Sequence, residues 1–258
     1  MRNEMEKYLN QEASAPCCGK MEKTNYQGDG VIVDNPVPLT PLALDLIDRL
    51  VYYKYMKTDT RQKLIRAGAK AMMTKSYNAV GIQEILTGAD VPKGSFYYYF
   101  DTKEEFGVAV VEHYGQSMAN TLQKRLSDST VSPRTRLLNH FLSIRQYYVD
   151  NGSVGGCLVA KLANEIGSTN PTIREALQKY YDEWVELVAR CIGEAQKAGE
   201  IDPCHDPNDL ADFIYTSWQG ALTVMLVKHN VVAIDKFIGY IFSFLLPEKE
   251  YRMSGSNV

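Results

Sequence analysis

The stretch Val91-Pro92-Lys93-Gly94-Ser95-Phe96-Tyr97-Tyr98-Tyr99-Phe100 places three consecutive tyrosines between two phenylalanines. Small residues precede this aromatic run, and Asp101-Thr102-Lys103-Glu104, a pattern typical of a helix start, follows it. Pro92 suits the first position of a helix, where no backbone donor is needed. We therefore predict a short helix from Pro92 that is anchored in a protein core by Phe96 and Phe100.

The residues before this run predict a second short helix over Val80–Leu86. Its apolar residues at the spacing of one helical face are Ile82, Ile85 and Leu86. The segment Thr87–Asp90 then predicts a tight turn around Gly88. A helix, a glycine-containing turn and a second helix form the helix-turn-helix layout, in which the second helix enters a DNA groove. A third helix is predicted from Thr60 to Lys75.

In motif, order and spacing, residues 60–106 resemble the DNA-binding domain of the TetR family of transcriptional regulators. The similarity runs from Arg61-Gln62-Lys63-Leu64-Ile65 through Gly107. A second stretch, Gly156-Cys157-Leu158-Val159 with Lys161, Leu162 and Glu165, resembles the branch of NemR-like and AcuR-like repressors. The resemblance implies an all-α protein with an N-terminal three-helix helix-turn-helix head. A larger helical domain for ligand binding and dimerisation would follow.

The resemblance also assigns DNA contacts to positions in the head. The predicted DNA-binding residues are Gln83, Lys93, Gly94, Ser95, Tyr98, Tyr99 and Lys103. Lys93 would donate to guanine O6 and N7, and Lys103 would reach a phosphate with the first amides of its helix. Tyr99 stands where the family commonly has histidine. The alternative, a merely packed aromatic patch, applies best to Tyr97, which follows Phe96 and is predicted to be buried.

The charge distribution favours a small DNA-binding module on a larger body. The chain of 258 residues has a net charge of −3, and 45% of its residues are hydrophobic, which allows a sizeable core. Between Met56 and Glu105, eight Lys and Arg stand against six Asp and Glu, a net charge of +2, so the remainder carries −5. A mildly basic segment on an acidic body indicates nucleic-acid contact through that segment.

Four segments are predicted along the chain. They are an N-terminal extension at 1–55, largely disordered with a possible helix at 39–56, a helix-turn-helix domain at 56–104, an effector-binding and dimerisation domain at 105–247, and a tail at 248–258. Apolar spacing predicts the helices of the body at about 102–126, 133–150, 156–166, 171–198, 208–228 and 231–245.

A two-fold dimer is implied, because one head covers too little DNA for specific binding. Its two heads would enter successive major grooves about 34–36 Å apart. The last two helices would form the dimer interface. The apolar residues predicted for it are Trp218, Leu222, Met225, Leu226, Phe237, Ile241, Phe244 and Leu245. The same side chains could instead fill the core of each subunit.

The body must respond to an effector if DNA binding is to be switched. The aromatic candidates for its pocket, which could equally be core residues, are Tyr147, Tyr148, Tyr180, Trp184 and Trp218. Cys157 lies at the predicted start of a short helix, one turn before Lys161. A positive helix end and an ammonium both favour the reactive thiolate. Because the resembling branch includes repressors that respond to electrophiles or oxidants, Cys157 is a candidate sensor; a buried core cysteine is the alternative.

The remaining sequence features concern compartment and competing functions. Five scattered cysteines without a CxxC pair favour a reducing cytoplasm, and neither a signal peptide nor a membrane span is predicted. We expect no cofactor and no metal site, since the four histidines are far apart. A cysteine-dependent helical enzyme and an interaction protein without DNA binding remain as alternatives. No catalytic motif supports the enzyme, so we predict that the protein is not one.

Overall fold

The structure, a computed structural model, describes the backbone of residues 41–153 and 155–248, with side chains from residue 58 onward. The disorder expected at 1–37 and the tail beyond residue 248 lie outside the described residues. Nine α-helices and no strand are found in the described part of the chain, which confirms the all-α prediction. They are α1 (Pro41–Thr74), α2 (Ile82–Ala89), α3 (Phe96–Tyr99), α4 (Lys103–Leu126), α5 (Pro133–Asn151), α6 (Leu158–Ile166), α7 (Pro171–Lys197), α8 (Pro207–Lys228) and α9 (Val232–Tyr240).

The backbone of α1 is continuous where two helices are predicted, at 39–56 and at 60–75. Contacts divide the chain between Lys63 and Leu64, and the residues of α1 from Leu64 onward belong with the helices that follow. No proline or glycine occurs between Pro41 and Gly68, so nothing in this segment breaks the i to i−4 hydrogen bonding. The predicted helix boundary near Met56 is therefore wrong.

A phenylalanine cluster forms the core of the helix-turn-helix segment. The Phe106 ring centroid lies 5.2 Å from that of Phe96 and 4.9 Å from that of Phe100, both in edge-on contact. All three side chains are buried, as the sequence predicts for Phe96 and Phe100. Gly68 on α1 allows this packing, because a Cβ atom there would lie 2.3 Å from Phe106 Cζ. The short helix α3 is thus held by an aromatic anchor beneath it.

The turn between α2 and α3 differs from the predicted one. Helix α2 continues to Ala89 with Gly88 inside it, and the chain turns at Asp90, which has a left-handed φ of 55°. Helix α3 begins at Phe96 instead of Pro92, and residues 92–95 form a turn closed by the Ser95 N–H donating to the Pro92 carbonyl at 3.2 Å. The φ of +91° at Gly94 is incompatible with a right-handed helix, so the helix cannot start earlier.

Helices α4 to α9 form the body and follow the predicted order. Helix α7 packs against α4, α5, α6 and α8, and α9 packs against α5 and α8. The predicted cap of α4 is confirmed, because Thr102 Oγ1 accepts from the Glu105 N–H at 3.0 Å. Prolines occupy the first turns of α5, α7 and α8, where the missing donor costs nothing. No helix within the described residues is long and apolar enough to cross a bilayer.

Arginine 134 at the start of α5 secures the C-terminal end of the body. A π-helical segment, Ile241–Leu245, continues α9 and leaves carbonyls without helical partners. Arg134 donates from Nε to the Leu246 carbonyl at 2.8 Å and from Nη2 to the Phe242 carbonyl at 2.9 Å. Its guanidinium also lies 5.4 Å from the centroid of the Phe242 ring. These contacts fix the segment that follows α9.

Candidate DNA-binding surface and effector site

Two tyrosines of α3 project into solvent. Tyr97 is 63% exposed and Tyr98 is 62% exposed, while Tyr99 is half-buried and packs against the core. The burial predicted for Tyr97 is wrong: successive helical residues point about 100° apart, so the burial of Phe96 directs its neighbour outward. The exposure of Tyr98 is compatible with the DNA contact predicted for it, which stays a prediction. Tyr99 contacts Tyr98 edge-on, with 5.0 Å between ring centroids, and supports it from the core side.

The other predicted DNA contacts lie on α2 and on the turn before α3. Gln83, Lys93 and Gly94 are exposed, and Ser95 is half-buried. Gln83 Nε2 lies 3.5 Å from Thr87 Oγ1 on the next turn of α2, at the outer limit of a hydrogen bond. We call Gln83, Lys93, Gly94, Tyr97 and Tyr98 the recognition surface. Its side chains combine a cation, an amide and two phenols, all of which can donate to phosphates or bases.

Lys103, the first residue of α4, is not fully solvated. Its Nζ lies 4.9 Å from the centroid of the Tyr77 ring, which attracts the ammonium through the ring quadrupole. Burial lowers the pKa of Lys103, and the nearby Glu165 carboxylate acts in the opposite direction. Lys103 lies at the N-terminal end of α4. At this end of a helix, an ammonium group and the first backbone N–H groups together favour the binding of an anion.

Cys157 meets polar side chains from four helices of the body. The Tyr114 hydroxyl and the Gln219 side chain form hydrogen bonds with its thiol. Tyr148, Tyr180 and Tyr215 interact electrostatically with the same group. We call these six residues the Cys157 cluster. Tyr148 and Tyr180 are predicted from sequence; Tyr114, Tyr215 and Gln219 are not, because nothing in their spacing tells which face of α4 or α8 turns toward Cys157.

Burial raises the pKa of the Cys157 thiol above its ordinary value. The N–H groups of Val159 and Ala160 at the start of α6 oppose this effect but do not overcome it. Lys161 does not contribute an adjacent charge, since its Nζ donates to the Met73 carbonyl at 2.9 Å. The predicted lowering of the thiol pKa is therefore wrong: desolvation of the thiolate outweighs the helix end.

We expect Cys157 to be alkylated more slowly than a model thiol at neutral pH, because a raised pKa leaves little thiolate to react. Peptide-resolved mass spectrometry during iodoacetamide treatment would measure this rate beside that of glutathione. The exposed Cys204 provides the control within the same chain and should be alkylated first. An alkylation rate at Cys157 above that of glutathione would contradict the half-buried, protonated thiol.

The remaining aromatic candidates divide between two locations. Tyr147 is half-buried, with its ring 5.5 Å from that of Tyr148, and Trp184 is buried 5.1 Å from the ring of Tyr215. Both therefore border the Cys157 cluster. Trp218 instead packs on Phe141 at 5.2 Å, in an aromatic core between α5, α8 and α9. The role of Trp218 in an effector pocket stays a prediction.

An open groove of about 420 Å³ reaches the edge of the cluster. Helices α6, α7 and α8 line it, and Arg174 and Tyr181 stand on its wall. Tyr215 lines the groove and also interacts with the Cys157 thiol. The groove therefore exposes one edge of the cluster to solvent at Tyr215. Among the described residues, no three His, Cys, Asp or Glu side chains are grouped so as to hold a metal ion.

An apolar face of α8, α9 and the π-helical segment is exposed to solvent. It carries Phe213, Val227, Tyr240 and Phe244, of which Phe244 is 74% exposed, and the rings of Tyr240 and Phe244 stack at 5.7 Å. The residues predicted for a dimer interface divide differently. Buried within the subunit are Trp218, Leu222, Met225, Phe237 and Ile241. Leu226 and Phe244 are exposed and Leu245 is half-buried. The five buried residues of the eight therefore belong to the core of the subunit, which is the alternative that the sequence leaves open.

Comparison with known proteins follows the same division into head and body. The model described as bacterial regulatory proteins, tetR family, matches residues 64–110, and the one described as tetracyclin repressor-like, C-terminal domain, matches residues 133–241. The HTH-type transcriptional repressor DhaR from Mycobacterium sp. (strain GP1) is 34% identical over 194 residues, which are 75% of this chain and 96% of DhaR. The chain belongs to the TetR family of transcriptional regulators.

Two further relatives agree with the predicted branch of the TetR family. The transcriptional regulator AcuR from Cereibacter sphaeroides is 38% identical to this TetR-family chain over 161 residues, 62% of this chain and 74% of AcuR. The crystal structure of Escherichia coli NemR in its reduced form superposes with a TM-score of 0.68 at 25% identity, covering 74% of this chain and 100% of NemR. The predicted resemblance to the NemR-like and AcuR-like branch is thus confirmed.

Proposed function

We propose that this TetR-family regulator is a cytoplasmic homodimeric repressor that binds a palindromic operator. A small-molecule or electrophilic effector in the body releases it from DNA. The observation that carries the proposal is the exposure of Tyr97 and Tyr98 directly beside the buried Phe96. A four-residue helix that is anchored by phenylalanine and displays phenols, next to an exposed Lys93, has the donors that phosphates and base edges accept.

The exposed apolar face of α8, α9 and the π-helical segment supports the dimer. Contiguous exposed aromatic and aliphatic side chains are uncommon on monomers and mark interaction surfaces. A second copy of the chain is the occupant that fits, because two-fold association buries the same face on both subunits and repeats the recognition surface. DhaR and NemR are named as repressors, which favours repression over activation for this chain.

The Cys157 cluster supports an effector that binds reversibly. Burial raises the pKa values of Tyr114, Tyr148, Tyr180 and Tyr215, so their hydroxyls stay protonated at neutral pH and can donate to a carbonyl or carboxylate. The groove at Tyr215 gives such a molecule access. Reaction of Cys157 with an electrophile or an oxidant is the second route, and it requires that the thiol first lose its proton, because the thiolate is the reactive form.

Selection from random double-stranded oligonucleotides with the full chain tests this function. We expect enrichment of an inverted repeat whose half-sites are about one helical turn apart, and a dimeric mass in light scattering of the free protein. Affinity for the enriched duplex should fall steeply with added salt, because phosphate contacts release counterions. A monomer that enriches no duplex would contradict the proposal and favour an interaction protein.

Two lysine substitutions should affect DNA binding in different ways. Lys103→Ala should weaken binding to all sequences alike and reduce the salt slope by about 1 for each subunit, since a phosphate contact carries no sequence information. Lys93→Ala should relax preference at one base pair in each half-site, at a cost of about 1–3 kcal/mol. Titrations of the enriched duplex and of its single-base variants at several salt concentrations would measure both effects.

Lys124→Ala is the matched control for Lys103→Ala. Lys124 is an exposed lysine in the last turn of the same helix α4. Its removal takes away an equal charge at the opposite end of the helix and should leave affinity and salt slope nearly unchanged. Equal losses for the two variants would show that net charge alone, and not a contact at the N-terminus of α4, determines binding.

A further inference from the structure

Helix α6 connects the Cys157 cluster to the segment that precedes α2. It begins directly after Cys157 and ends at Ile166, so its nine residues span about 12 Å. Lys161 and Glu165 lie four residues apart and therefore on one face of this helix. Lys161 Nζ donates to the Met73 carbonyl at 2.9 Å, in the last turn of α1. This contact satisfies a carbonyl that has no helical partner at the end of a helix.

The Glu165 carboxylate accepts hydrogen bonds from two backbone N–H groups of the turn between α1 and α2. Its Oε2 accepts from the Tyr77 N–H at 2.7 Å, and its Oε1 accepts from the Asn78 N–H at 2.9 Å. Hydrogen bonds to an ionised carboxylate are stronger than neutral ones, and the two together fix both the position and the orientation of the turn. A single side chain of the body thus holds the entry to the helix-turn-helix motif.

The Tyr77 side chain links the turn between α1 and α2 to α4 by direct packing. Its ring is buried and packs so closely on Gly107 that a Cβ atom there would lie 2.8 Å from Tyr77 Cε2 and 3.0 Å from Ile173 Cδ1. Lys103, the candidate phosphate contact, has its ammonium 4.9 Å from the centroid of the same ring. Tight packing of this kind does not deform smoothly, so a shift of the turn must move its neighbours.

We propose that Lys161 and Glu165 are positioning residues through which the Cys157 cluster sets the geometry of the DNA-binding head. This inference rests on the proposed function. A group that enlarges the cluster displaces the first turn of α6, and the helix carries the displacement to Met73, Tyr77 and Asn78 as a rigid element. Because Glu165 binds backbone N–H groups, the coupling depends on the carboxylate and not on the side chain of Asn78.

A double-mutant cycle tests the coupling in the full chain. Cys157→Trp enlarges the cluster and should lower affinity for the selected duplex by at least about fivefold, within the usual range of allosteric coupling. In a Glu165→Gln background, the same substitution should change affinity less than about twofold, since one oxygen that accepts from the turn has become an amide nitrogen. Asn164→Ala, an exposed neighbour on α6, is the control background and should preserve the full loss. Equal losses in the Glu165→Gln and Asn164→Ala backgrounds would overturn the proposal.

Amide hydrogen exchange provides a second measurement that needs no DNA. Cys157→Trp should accelerate exchange at the Tyr77 and Asn78 amides by about tenfold or more, approaching the rates in Glu165→Gln, while amides in the middle of α7 keep their protection. Cys157→Leu replaces the tryptophan variant if that variant does not fold. Unchanged exchange at residues 77 and 78 in a folded variant would overturn the proposal. Failure of the wild-type chain to select any duplex would instead contradict the proposed function and leave the exchange result to decide the coupling.

Discussion

Replacing Phe106 by alanine should lower the free energy of unfolding by about 3–5 kcal/mol, the usual cost of deleting a buried phenylalanine ring. The side chain is fully buried, it contacts the rings of Phe96 and Phe100, and it fills the space left by Gly68. Urea unfolding followed by circular dichroism, at equal protein concentrations, would measure the loss.

The same variant should lose DNA binding under conditions in which the body is still folded. Phe106 supports Phe96, and Phe96 holds the helix that exposes Tyr97 and Tyr98. Tyr97→Ala is the matched control for the unfolding measurement only, because it removes an aromatic ring of similar size from the exposed side of that helix. It should change the free energy of unfolding by no more than about 0.5 kcal/mol. A loss below about 1 kcal/mol for Phe106→Ala would show that the cavity collapses without strain.

Acidification from pH 6 to pH 4 should destabilise the fold by about 2–3 kcal/mol through His140 alone. The side chain is 6% exposed, and burial lowers its pKa to about 3, with Arg125 contributing in the same direction. The unfolded chain takes up a proton near the ordinary pKa of 6.5, whereas the folded chain does not. The contribution of neutral His140 to the free energy of unfolding is therefore fully present above pH 6.5 and is lost as the pH falls toward 3.

His140→Gln removes this titration and should reduce the pH dependence of stability by about one proton, or about 1.4 kcal/mol per pH unit between pH 6 and pH 4. Urea unfolding of both proteins from pH 4 to pH 8 would give the slopes. The internal control is the range from pH 7 to pH 8, where the difference between the two proteins should stay constant. Parallel curves below pH 6 would mean that His140 becomes protonated in the folded state.

Much of the head could be predicted because its signals are local. The spacing of Ile82, Ile85 and Leu86 predicts α2, and Thr102 predicts the start of α4. The errors in the turn before α3 and in the start of α3 concern backbone conformation at single residues. Helix α3 starts at Phe96 because Gly94 adopts a positive φ, which a glycine permits but does not require. The sequence pattern is compatible with either start.

The effector site could be predicted only in part. Cys157 and two of the tyrosines in its cluster are identifiable, yet the protonation state of the thiol is not. Local reasoning places Lys161 one turn after Cys157 and assigns its charge to the sulfur. In the structure the ammonium binds the Met73 carbonyl, 88 positions away in the chain. Desolvation by surrounding helices, which has no signature in the nearby sequence, then determines the pKa of the thiol.

The amino-acid sequence alone determined the family, the order of the helices and the N-terminal cap of α4. These properties depend on the spacing of apolar residues and on contacts between residues within about four positions of each other. Only the tertiary structure decided which tyrosines surround Cys157, which apolar residues of α8 and α9 remain exposed, and where Glu165 binds. Those properties depend on which faces of distant helices meet, and that is settled when the whole core packs without voids.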